Sequence, residues 1–161
     1  MTHSVLLDTS FFIRLLNDED SLHQNARDYF KYFLDQEITI KFSTISIAEY
    51  CVKGSIGELP LMNIQIVPFN LDHAKKAGEF ANIIFEEKKL SAEDLKPRAI
   101  IPNDSKLFAQ ADTDKSITHF VTSDSRSQGT LKLLKNRIKT RFEIIDINNP
   151  YHQVFGVLDL K

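Results

Sequence analysis

Short apolar, β-branched runs alternate along this chain with longer segments whose apolar residues recur at helical spacing. That alternation restricts the fold more than any other feature, because strands joined through helices pair in parallel and a parallel sheet needs both faces covered. Strands are read at Val5–Leu7, Ile38–Phe42, Ile64–Phe69, Thr118–Thr122 and Phe142–Ile147. Between them, apolar residues at spacings of three and four predict helices up to Leu16 and over Ser21–Glu37, Thr44–Lys53, Leu71–Leu90, Asn103–Asp112 and Gln128–Asn136. Ser91–Pro102 reads as a connection broken by Pro97 and Pro102. The expected architecture is a three-layer α/β/α sandwich in one domain spanning residues 1–161. Its tail, 150–161, carries Val154, Phe155, Val157, Leu158 and Leu160, and is expected to pack on the body or on a second subunit.

Composition removes several function classes. No apolar run approaches the roughly 20 residues of a bilayer span, and the first residues lack the pattern of a secretory leader, so a cytoplasmic protein without a membrane partner is expected. Cys51 is the single cysteine, which excludes an intrachain disulfide and a zinc site of several thiolates; its setting reads as a small buried hydrophobe. Net charge is −2, but Arg126 to Arg141 holds six basic residues and no acid. Such a stretch suits either a nucleic-acid backbone patch or a solvated helix.

The acids are more informative. Ligands of open parallel sheets bind beyond the carboxyl ends of the strands. Asp8 directly follows the first strand and Asp124 follows the strand ending at Thr122. Glu49 shares a helical stripe with Ile45 and Val52, and Asp104 one with Leu107, Phe108 and Ala111, so both are expected to point inward. Each acid also has a structural alternative: Asp8 as a helix cap, Glu49 in a capping box with Ser46, Asp104 in a first helical turn, and Asp124 in a turn with a neighbouring serine. Taken together at one sheet edge they form a carboxylate cluster, whose mutual repulsion a divalent cation would relieve. Oxygen ligands select Mg²⁺ or Mn²⁺, and the chemistry fits phosphodiester hydrolysis. Thr9, Ser10 and Thr122 are candidate hydrogen-bonding supports for the acids. Arg126, Lys132 and Lys135 are candidate RNA contacts.

Four segments, VLLDTSFFI, STISIAEYCV, PNDSKLFAQA and HFVTSDSRS, resemble in order the motifs of the PIN-domain family, which includes VapC-type toxins. The resemblance runs from Val5 to about Asp146, and Ser10 stands where an Asn is common. It implies a parallel sheet of order 3-2-1-4-5, a metal held by Asp8, Glu49, Asp104 and Asp124, and endonucleolytic cleavage of RNA. It further implies a homodimer and, for a toxin of a type II toxin–antitoxin pair, an antitoxin partner laid across the acidic cleft. The alternative reading is a non-catalytic PIN-like RNA-binding or scaffold module.

Overall fold

The computed structural model describes residues 3–90 and 103–156 of the chain. The expected broken connection at 91–102 and the end of the tail at 157–161 lie outside the described residues. Five strands form one parallel sheet: β1 (Ser4–Leu7), β2 (Thr39–Ser43), β3 (Gln65–Val67), β4 (Ile117–Thr122) and β5 (Glu143–Asp146). Their order is β3-β2-β1-β4-β5, as the resemblance implied. β1 is central, with Leu7 in register with Phe42 on one side and Val121 on the other. All four of its residues are buried, which explains an apolar run with no polar alternation.

Successive side chains of a strand point to opposite faces, so β1 feeds two cores. Leu6 packs with Phe80, Ile84, Leu107, Phe108 and Leu131 beneath α4 (Leu71–Leu90), α5 (Asn103–Thr113) and α6 (Ser125–Lys135). Val5 and Leu7 pack on the other face with Phe11, Phe12, Tyr29 and Phe33 of α1 (Thr9–Leu15) and α2 (His23–Asp35). The start of the apolar tail forms α7 (Tyr151–Phe155), where Phe155 stacks on Tyr32 with ring centroids 4.5 Å apart.

Three local expectations are corrected. The helix expected over Thr44–Lys53 is shorter: α3 spans Thr44–Tyr50, and a turn follows. Val52, in that turn, is 79% exposed, so the stripe that grouped it with Glu49 does not exist as a buried face. Cys51 is likewise exposed instead of buried, for the same reason. The helix expected from Gln128 starts earlier, at Ser125, because Asp124 caps it.

A candidate active site at the carboxyl edge of the sheet

The chain runs β1 to β2 toward one edge, then crosses from β3 to β4 on the other side of β1. The gap between the ends of β1 and β4 is therefore the point where winding direction reverses, the usual place for a ligand in such sheets. Asp8 and Asp124 stand at that gap. Asp8 is buried and caps α1: its Oδ1 accepts the Thr9 backbone N–H at 2.7 Å. Its Oδ2 accepts the Thr122 hydroxyl at 2.8 Å and the Ser10 hydroxyl at 3.1 Å. The capping role is carried by Oδ1, while Oδ2 takes the strand-end and helix-start hydroxyls.

Thr122 ties the two strand ends together. Its fully buried hydroxyl donates to Asp8 and accepts the Asp124 backbone N–H at 3.0 Å. Ser10 reinforces the tie by accepting the Ser123 backbone N–H at 3.1 Å. Asp124 caps α6, with Oδ1 taking the Arg126 backbone N–H at 2.8 Å.

The other two acids arrive from helices. Asp104 lies half-buried in the first turn of α5, and its Oδ1 accepts the Ser127 hydroxyl of α6 at 2.9 Å. Glu49 occupies the last turn of α3, not its start, and Ser43 is the residue that caps that helix. It is an exposed residue at the mouth of the cluster, which corrects the inward-facing expectation. Its carboxylate nevertheless bends toward the site, where Oε1 accepts the Asn103 side-chain N–H at 2.8 Å and Thr9 supplies a further hydrogen bond.

These geometries couple the acids electrostatically. Burial pushes the Asp104 carboxyl up to about 6, opposed by the Ser127 hydrogen bond and reinforced by the charges of Asp8, Asp124 and Glu49. Burial also raises Asp8, against the hydrogen bonds from Thr122, Ser10 and Thr9 and with help from the Asp124 charge. Glu49 is raised by partial burial and by Asp8, while Asn103, Thr9 and Lys106 pull it down. Among the described residues, no group of three or more His, Cys, Asp or Glu side chains converges tightly enough to cage an ion. Asp8 and Asp124 are linked through the Thr122 hydroxyl, and charge couples Asp104 to the other three acids.

The basic candidates divide. Arg126 is exposed beside Asp124 at the start of α6. Lys132 and Lys135 lie farther along that helix, and at 1.5 Å per residue Lys135 is roughly 15 Å from its start. Lys135 is also paired with Glu143 at 2.6 Å, and Arg137 with Glu86 and Glu87. The basic stretch is therefore partly neutralised within the molecule.

Two polar partners escaped the sequence reading: Asn103 on Glu49 and Ser127 on Asp104. A signal for each was present, since Asn103 adjoins Asp104 and Ser127 lies three residues beyond Asp124, on the same side of a helix.

No family model matches this chain, and no curated protein matches it. Solved structures do. A chain of the DNA-bound VapBC complex from Salmonella typhimurium aligns with TM-score 0.55 and 17% identity, covering 91% of this chain and 99% of that one. VapC20 of Mycobacterium tuberculosis, a toxin that cleaves the sarcin–ricin loop, gives TM-score 0.53 and 18% identity over 78% and 94% of the two chains. The chain has the PIN fold of VapC toxins. VapBC2 of Rickettsia felis bound to a promoter DNA fragment aligns in the same way, with TM-score 0.51, 18% identity, and 88% and 97% covered. Within this PIN fold the acid cluster occupies the winding reversal at the carboxyl edge.

Proposed function

We propose that this chain is a Mg²⁺- or Mn²⁺-dependent endoribonuclease and the toxin of a toxin–antitoxin pair. The observation that carries the reading is the loose cluster of Asp8, Asp104 and Asp124, with Glu49 at its mouth, whose charges act on Asp104 at the winding reversal of a PIN-like sheet. The donor set fits a hard divalent ion: it is all oxygen, and the buried carboxyl of Asp104 is held at about 6 by burial and by three like charges that a cation would offset. Mg²⁺ keeps several waters and needs few protein oxygens, so a loose set of carboxylates suits it. Held by these carboxylates, such an ion would supply a more acidic water for attack on a phosphodiester and positive charge to offset that on the leaving oxygen.

The chain's own residues set the stage for that step. Thr122 and Ser10 fix the rotamer of Asp8, and Asn103 draws Glu49 over the cluster. Arg126, at the rim, is placed to meet an RNA phosphate. An open groove of about 780 Å³ runs from Glu49 along Ile13, Leu16, Tyr50, Val52 and Lys53. Ile13, Leu16 and Val52 are exposed there, an apolar surface beside an acidic mouth that suits an antitoxin segment with apolar anchors and a basic side chain.

The test is cleavage of single-stranded RNA by purified protein with Mg²⁺ or Mn²⁺. Asp8→Asn should lower the rate on the order of 10²–10³-fold while the fold survives, because Asn also caps helices. Undiminished cleavage by Asp8→Asn sinks the mechanism. A wild type inactive with every metal points to a binding module.

A further inference from the structure

Ser127 is fully buried in the first turns of α6. A buried helical serine ordinarily turns its hydroxyl back to the carbonyl four residues earlier. Here the hydroxyl crosses to another helix and donates to Asp104 Oδ1 at 2.9 Å. That is its only side-chain hydrogen bond among the described residues. Alanine would fill nearly the same space in the core, so packing gives no reason for an oxygen at this position. The reason lies with Asp104, one oxygen of which is occupied and oriented, while Oδ2 has no hydrogen bond among the described residues.

The arrangement also repeats across the site. Asp8 is held by Thr122 and Ser10, and Glu49 by Asn103. Ser127 gives Asp104 the equivalent support, and it stands three residues after Asp124, on the helix that Asp124 caps. One short segment, Asp124 to Ser127, therefore supplies one acid and fixes another.

We infer that Ser127 is a positioning residue that holds Asp104 in the rotamer needed to bind the divalent cation. The inference rests on the metal-dependent nuclease reading above. Loss of such an outer partner typically weakens metal binding by about 10- to 100-fold. The test is Mn²⁺ affinity, measured by calorimetry or by the Mn²⁺ electron-paramagnetic-resonance signal, for wild type, S127A, D104N and the double variant. The expected result is a tenfold or greater loss in S127A and no further loss when S127A is added to D104N. A merely structural serine would instead leave affinity unchanged, or lower it equally in both backgrounds; either result overturns the role. If S127A does not fold, S127C fills the same space with a weak donor and carries the comparison. A wild type that binds no Mn²⁺ overturns the parent reading and this one with it. A wild type that binds as tightly as S127A overturns only the role of Ser127.

Discussion

At the amino edge of the sheet, Lys41 of β2 is buried with its ammonium on Asp114, while Ser116 donates to the same carboxylate and Ser4 bonds to Ser116. At the carboxyl edge, Asp8 and Asp104 are buried or half-buried with hydroxyl and amide donors and, among the described residues, no ammonium or guanidinium against them. The acids respond in opposite directions: Asp114 is lowered, with Lys41 and Ser116 outweighing its burial, whereas Asp8 and Asp104 are raised. Among the described residues, the acid at the amino edge is paired with a cation and those at the carboxyl edge are not. Paired charge ties β2 to the start of β4, whereas under the proposed reading the unneutralised charge awaits a cation.

The contrast can be broken at its strongest point by Lys41→Met. Asp114 would lose its cation, at a cost of about 3 kcal/mol in urea unfolding. That is the low end of the ~3–5 kcal/mol range for a buried pair, because the Asp114 side chain keeps 30% exposure. A cost below ~0.5 kcal/mol would erase the distinction between the edges.

The converse substitution, Asp104→Asn, should stabilise the metal-free protein at neutral pH. A carboxyl raised to about 6 in the folded state binds more protons folded than unfolded, so its unfavourable contribution is absent below pH 4. It grows as pH rises toward 6 and is constant above. Asp104→Asn should therefore add about 2 kcal/mol in EDTA at pH 7, discounted for partial exposure, and nothing near pH 3.5. Equal effects at both pH values would show that the charge is not the cause. Saturating Mn²⁺ should reverse the sign of the comparison, since an ion at a hundred times its Kd adds about 2.7 kcal/mol to the wild type.

The smallest effects are expected on the α6 face. Arg126→Ala should weaken RNA binding a few-fold and reduce the salt slope by about 0.7. Lys135→Ala, already paired with Glu143, should leave both within error. Equal losses would move the RNA track along the whole helix.

The sheet order was legible only through the resemblance, whereas the places of Asp8 and Asp124 were legible because strand ends are marked by abrupt changes in polarity. Asp104 was legible from its stripe, and Leu107, Phe108 and Ala111 are indeed buried. Glu49 was read as buried on an apolar stripe because apolar spacing continues past Tyr50 although the helix does not, yet its carboxylate still turns toward the cluster. Periodicity reports where a helix would bury residues, and Val52 and Cys51 show that it does not report where the helix stops. Ser127 and Asn103 were missed for a different reason: their places beside Asp124 and Asp104 hinted at them, but a bond to another element is created only by packing.

The bond from Thr122 to Asp8 joins residues 114 positions apart. Pairing at such separation forms slowly and late, after the loop-closing cost has been met. A chain emerging from the ribosome exposes Asp8 and Glu49 long before β4 exists. Until β4 slots beside β1, Asp8 has no Thr122, and neither Asp104 nor Asp124 is in place. An unfinished or prematurely terminated chain therefore holds at most half of the acid cluster, and under the proposed nuclease reading it would be unable to cut the RNA from which it is being translated.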